Sequence, residues 1–155
     1  MNNISQFEEK EVIGVGSFSR VFRAIFKQDQ KEYAIRQLAK IQLIKQKLEK
    51  TVFLERDFLY KFPHRFIIKL FGNFQDRDFL YFVLELCLFD FQKLSNKKLP
   101  IELVRYYSAE IVEAVEYIHS IGDLKPENIL IGQDGHVRIS DFGSAIFINS
   151  TEYQE

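Results

Sequence analysis

One hundred and fifty-five residues, 46% apolar and 28% charged, suffice for one domain with its own core and place the chain among soluble globular proteins. A formal net charge of −1 gives no broad basic field of the kind that draws nucleic acid or an anionic membrane surface. The N-terminal MNNISQFEEK has no signal-type apolar core and no window is apolar enough to span a bilayer, while the single cysteine, Cys87, excludes an internal disulfide and fits a reducing, cytoplasmic setting.

From Phe7 to about Leu38 the pattern is strand-like, with Val12, Ile13, Val21, Phe22, Ala34 and Ile35 punctuated by Gly14, Gly16 and the polar Gln28-Asp29-Gln30. Three short antiparallel strands are expected there. Lys40 to Phe62 switches to helical spacing, with Leu48, Val52, Leu59 and Phe62 on one seam and Pro63 stopping it. Glu55 shares that seam. A carboxylate facing inward is costly unless a cation meets it; the plain alternative is a snorkelling side chain at the stripe's edge. Two strands follow, Phe66 to Phe74 and Phe79 to Leu86, around the turn Gln75-Asp76-Arg77-Asp78, the second apolar on both faces as a covered strand is. Cys87 to Phe91 reads as a connector, with Cys87 as a small buried side chain. Pro100 suits the first turn of a long helix whose inner face is Ile101, Val104, Ser108, Ile111, Val112, Val115 and Ile118. Short strands at Asn128 to Ile131 and His136 to Ile139 close around Gly132-Gln133-Asp134-Gly135.

Gly14-Val15-Gly16-Ser17-Phe18-Ser19-Arg20-Val21 is a glycine-rich turn between strands, where missing side chains let backbone N–H groups approach phosphates. Most glycine pairs are only turns, and Ser19 occupies the place of a third glycine. Arg36 puts a cation on a neighbouring strand, nineteen residues before Glu55, although surface charges form such pairs often. In Asp123-Leu124-Lys125-Pro126-Glu127-Asn128, the Asp, Lys and Asn at offsets 0, 2 and 5 suit a base, a phosphate contact and a metal ligand on one loop. A capped turn with solvated charges is the plain alternative. Asp141-Phe142-Gly143, eighteen residues after Asp123, adds a carboxylate for a hard cation such as magnesium, which prefers oxygen ligands.

Order, spacing and context agree, and together these stretches resemble a eukaryotic protein kinase from the glycine-rich loop to the start of the activation segment. GSFSRVF, EYAI, LERD, FQDRDFLYF, YYSAEIVEAVEYIH and DLKPENIL are similar to the AGC group and, within it, to the phosphoinositide-dependent kinase family. The resemblance implies an α+β, bilobal, protein kinase-like fold. A five-stranded antiparallel N-lobe sheet with its αC helix would occupy about 7–87, and the first part of a helical C-lobe, with αD, αE and the catalytic loop, 88–155. ATP would lie between the lobes, adenine against Val21 and Ala34, with Leu84 as gatekeeper and Glu85 and Cys87 in the hinge. Gly14, Gly16, Ser17, Phe18 and Ser19 would cover the phosphates, beside the Arg36–Glu55 pair. Asn128 and Asp141 would hold Mg²⁺, Asp123 would accept the proton of a substrate hydroxyl, and Lys125 would touch the γ-phosphate. A serine or threonine acceptor is implied by the placing of Lys125 after Asp123.

Three departures from the family bear on activity. Arg36 stands where the family has a lysine, and a planar fork is not a point-like ammonium, so Arg36 is expected to pair with Glu55 yet crowd the phosphate site. The family continues HSIG with about four more residues, ending in His-Arg, before the Asp; four extended residues span about 13 to 14 Å. Here Gly122 joins Asp123 directly, and the last helical turn around Tyr117 to Ser120 is expected to give way. The chain also stops at Glu155, without most of the activation segment, so catalysis by these residues alone is expected to be impaired or the gene reading to be incomplete.

Two functions from different classes follow. The first is an ATP-dependent serine/threonine kinase acting on a protein substrate. The second is a non-catalytic module that binds ATP or a peptide, for which the resemblance supplies a hydrophobic groove at Lys40, Leu43, Ile44, Val52, Arg56, Gln75 and Leu80 that takes a partner's aromatic motif. For Val52 and Leu80, ordinary helix-to-sheet packing is at least as good a reading.

Overall fold

Alternation in the first forty residues becomes three antiparallel strands in the computed structural model, which describes residues 1–90, 99–117 and 125–142, the side chains of 89 and 90 excepted. These are β1 (Phe7–Val15), β2 (Ser19–Phe26) and β3 (Glu32–Ala39). With β4 (Leu70–Gln75) and β5 (Phe79–Leu84) they form a five-stranded antiparallel sheet of order β1-β2-β3-β5-β4. Because strand side chains alternate between faces, Phe22, Phe26, Tyr33, Ile35, Tyr81 and Val83 join Phe7 and Phe74 in a cluster on one face. Its rings pack closely, Phe74 on Tyr81 at 4.8 Å and Phe7 on Phe26 at 5.0 Å. Ala34, Leu38, Phe82 and Leu84 face the other way, into the main core with the helices. Arg36 shares the parity of Ala34 and Leu38, so the alternation alone aims it at the helical side.

The helical stretch is two helices rather than the single one expected. Helix α1 (Lys40–Gln46) ends at Lys47, whose left-handed φ of 57° turns the chain so that the Lys47 and Leu48 N–H groups bond back to the Ile44 and Leu43 carbonyls. Helix α2 (Glu49–Lys61) then starts afresh and buries Val52, Glu55, Phe58 and Leu59, with Leu48 and Phe62 packed beside them. Such a terminating residue is ordinarily glycine or asparagine, so a lysine there leaves no mark in the sequence.

The strand expected from Phe66 begins only at Leu70. Before it, the Ile68 N–H bonds to the Ile139 carbonyl and the Ile139 N–H to the Phe66 carbonyl, so this segment ties itself to the C-terminal part of the chain instead. Cys87–Asp90 is not a connector but a strand, β6; it pairs with β7 (Ile129–Gly132), which pairs in turn with β8 (Val137–Ile139). Glu85 and Leu86 alone separate the two sheets.

Helix α3 (Ile101–Tyr117) starts directly after Pro100 but buries a different face from the one expected. Tyr107, Glu110 and Ala114 pack towards β8 and, of the face expected, Ile111 packs against the core, whereas Ile101, Val104, Ser108, Val112 and Val115 are exposed. The helix is apolar on two sides, and Glu110 selects between them. Its buried carboxylate accepts the Val137 N–H at 2.9 Å and bonds the His136 ring at 2.6 Å. Of the turn expected to unwind at Tyr117 to Ser120, Tyr117 is helical; Ile118 to Leu124, and the segment expected to hold αD, lie outside the described residues.

Candidate active site

Where the two sheets meet, they leave a cleft of about 540 Å³. Its apolar wall comes from alternate strand positions: Val21 on β2, Ala34 on β3 and Leu84 at the end of β5, where Ala34 and Leu84 are partners across the ladder. Leu130 on β7 faces them, and Glu85 and Cys87 lie at the junction of the sheets. Burial, with the Glu85 charge adding to it, pushes the Cys87 thiol up to about 12, as expected of a small packed side chain rather than a nucleophile.

Gly14 is on the cleft wall, but Gly16, Ser17, Phe18 and Ser19 are not. The Gly16 N–H bonds to the Ser19 carbonyl at 2.8 Å, closing the turn on itself. Phe18 packs against the core beneath and its carbonyl accepts the Ala39 N–H, which pins the loop to the end of β3.

The cation expected to meet Glu55 is Arg36. Its Nη1 donates to Glu55 Oε1 at 2.6 Å, with Glu55 only 4% exposed. Burial raises the Glu55 carboxyl above its ordinary value; Arg36 opposes that rise and the nearby charge of Asp141 adds to it. The pair thus joins β3 to α2 and faces a second carboxylate across the cleft.

Asn128 and Asp141 are brought together by Ser140. Both the N–H and the Oγ of Ser140 donate to the Asn128 carbonyl, at 2.8 and 3.1 Å, while the Asn128 N–H bonds to the Lys125 carbonyl at 2.9 Å. The short 3-10 turn Pro126–Asn128 is thereby fixed to the exit of β8. Asp141 takes a left-handed φ of 66°, rare for a residue other than glycine, and the next ring, Phe142, stacks on Phe58 of α2 at 4.3 Å. Among the described residues no three His, Cys, Asp or Glu side chains gather as a metal cage. Asp141 lines the cleft, while Asn128 is buried and lies off the cleft wall, joined to it through its main chain; a carboxylate with an adjoining amide residue suits Mg²⁺, which binds through one or two protein oxygens together with phosphates. Asp123 lies outside the described residues.

Three residues of this region escaped sequence reasoning. Leu130 is one half-buried position in an apolar strand and gives no signal of its own. Ser140 was hidden because its partner is twelve residues away. Arg138 was readable: a cation between Val137 and Ile139 on a wholly buried strand requires carboxylates, and Glu85 and Asp134 supply them. In the groove expected for a peptide, Leu43 and Val52 are core residues, 1% and 3% exposed, and Lys40 Nζ donates to the Asp76 carbonyl. Arg56 is held by Asp57, Leu80 is partly buried against the core, and only Ile44 and Gln75 are open.

A family profile described as the protein kinase domain matches residues 7–155. The 3-phosphoinositide-dependent protein kinase 1 of Arabidopsis thaliana is 44% identical over 146 residues, covering 89% of this chain and 30% of that protein. Serine/threonine-protein kinase ppk21 of Schizosaccharomyces pombe is 43% identical, covering 92% of this chain and 28% of its own length. For serine/threonine-protein kinase Sgk1 of Danio rerio the identity is 41%, with 90% and 34% covered. The chain spans about a third or less of each of these relatives. With its five-stranded sheet, partial second lobe and intervening cleft, the chain belongs to the protein kinase family and, by these relatives, to its AGC group.

Proposed function

We propose that the chain binds MgATP in the cleft between its sheets and belongs to a cytoplasmic protein that phosphorylates serine or threonine on a protein substrate. The observation that supports this best is the buried Arg36–Glu55 pair facing Asp141, with Asn128 held beside it through Ser140. In this reading 7–87 acts as the first lobe and the remainder as the start of the second. Val21, Ala34, Leu84 and Leu130 enclose the adenine, and the main chain at Glu85 and Cys87 meets its edge. Gly14 to Ser19 close over the phosphates. Asn128 and Asp141 hold Mg²⁺, which when bound spreads the charge of the phosphate oxygens. Asp123 accepts the proton of the attacking hydroxyl and Lys125 steadies the γ-phosphate as it leaves ADP.

Arg36 and the direct Gly122–Asp123 junction lower the rate in this reading. Phosphoryl transfer is mostly positioning, so a wide guanidinium beside the phosphates and a displaced base each count heavily. Transfer of ³²P to a basic serine-containing peptide, abolished in Asp123→Ala, is the expected result. Nucleotide binding with no transfer under any condition supports a non-catalytic ATP-binding module instead. A peptide-binding role is the remaining reading, favoured by the 59% exposure of Ile44 next to the open Gln75. There a Phe-containing peptide binds with micromolar affinity and Ile44→Glu abolishes it, a better test than Leu43, which is core.

A further inference from the structure

We propose that Arg138 is a positioning residue for the nucleotide: through Glu85 it fixes the junction of the two sheets, and with it the base-binding end of the cleft. The inference rests on the nucleotide reading of that cleft.

Glu85 is held from both sides. Its main-chain N–H donates to the carbonyl of Lys69, which leads into β4 of the first sheet, at 2.9 Å. Its carboxylate receives Arg138 Nε, at 2.8 and 3.0 Å to the two oxygens, and Arg138 belongs to β8 of the second sheet. One residue therefore has its backbone tied to one sheet and its side chain to the other, at the point where only two residues connect them.

The guanidinium sits in a site built for it. Arg138 is 8% exposed, its Nη2 donates to Asp134 at 2.8 Å and its Nη1 to the Val137 carbonyl at 3.0 Å, so all three nitrogens are satisfied. Gly132 leaves the room: a Cβ there would lie 3.3 Å from the guanidinium carbon and 2.7 Å from Asp134 Oδ1. Gly132 is also the ladder partner of Cys87, the next residue of the cleft wall after Glu85. Two carboxylates at fixed angles demand a planar fork, which the point charge of a lysine does not reproduce. The strut orders the main chain of Glu85 to Cys87 before any ligand arrives, so less ordering cost falls on binding.

The test uses the full 155-residue chain with Arg138→Met, Arg138→Lys and the milder Glu85→Gln, the last of which keeps an oxygen for Nε. Calorimetric affinities for MgATP and MgGTP are compared, with amide hydrogen exchange read at 85–88. The expected result is a roughly tenfold loss of MgATP affinity in Arg138→Met, little recovery in Arg138→Lys, a smaller loss in Glu85→Gln, a collapse of the ATP-over-GTP preference and faster exchange at the junction. Equal weakening of both nucleotides with unchanged junction exchange would reduce Arg138 to a stabilising residue and overturn the proposal. So would variants that match a nucleotide-binding wild type in every readout. A wild-type chain that binds neither nucleotide fails at the nucleotide reading itself, and the proposal falls with it.

Discussion

Replacing Arg36 by methionine removes the cation that meets Glu55 while keeping an unbranched side chain on β3. Glu55 is then a lone carboxylate, 4% exposed, and its escape is to bind a proton. Holding it neutral costs about 1.4 kcal/mol for each pH unit above its ordinary 4.5, so the loss of stability is capped near 3.4 kcal/mol at pH 7 and near 2 kcal/mol at pH 6. The first figure lies in the range of about 3 to 5 kcal/mol typical of breaking a buried pair. For a domain of this size it corresponds to a fall in Tm of roughly 7 to 14 °C at pH 7. Urea melts of wild type, Arg36→Met and the double variant Arg36→Met/Glu55→Met, each at pH 6 and 7, measure it. The double variant recovers most of the loss, because an apolar pair leaves no charge to neutralise. A loss below about 1 kcal/mol, one equal at both pH values, or a double variant as unstable as the single, would refute the reasoning.

Three further outcomes are expected. Because the folded state raises the Glu55 carboxyl, the stability it contributes is fully present below pH 4.5 and is lost as pH rises through the raised folded value. Glu55→Gln removes that part of the slope in a Tm-versus-pH series, and an unaltered slope contradicts the assignment. With its thiol pushed from 9.0 to about 12, Cys87 at pH 8 reacts with a disulfide reagent roughly a thousandfold more slowly than a free thiol; reaction at the free-thiol rate in the folded chain would show the burial to be wrong. Arg36→Lys narrows the cation in the cleft and is expected to raise MgATP affinity severalfold in a titration, whereas an unchanged affinity would remove crowding by Arg36 from the proposal.

What the sequence made legible was what two local rules reach together. Period two aims Arg36 at the helical side and period 3.6 turns Glu55 inward, so their meeting is readable in the sequence. The turn at Gly132 to Gly135 and the start of α3 after Pro100 were equally local. The break at Lys47 was not, because a lysine accepts a left-handed turn only where the Leu43 and Ile44 carbonyls demand partners. Strand β6 has four residues, too few for a period to emerge, and its pairing with β7 comes from a distant return of the chain. The buried face of α3 was misread for a related reason: Glu110 looks like a surface charge until the Val137 N–H arrives beside it. Around the cleft, Leu130 and the two residues that hold others in place, Ser140 and Arg138, were missed.

The central claim is that the cleft between the sheets holds MgATP through Asp141, and a calorimetric titration of the 155-residue chain with nucleotide, with and without magnesium, tests it most directly. The account predicts magnesium-dependent binding with a Kd between micromolar and low millimolar, lost in Asp141→Ala and kept in Ile44→Glu. Absence of binding at millimolar nucleotide, or binding indifferent to Asp141→Ala, would contradict it.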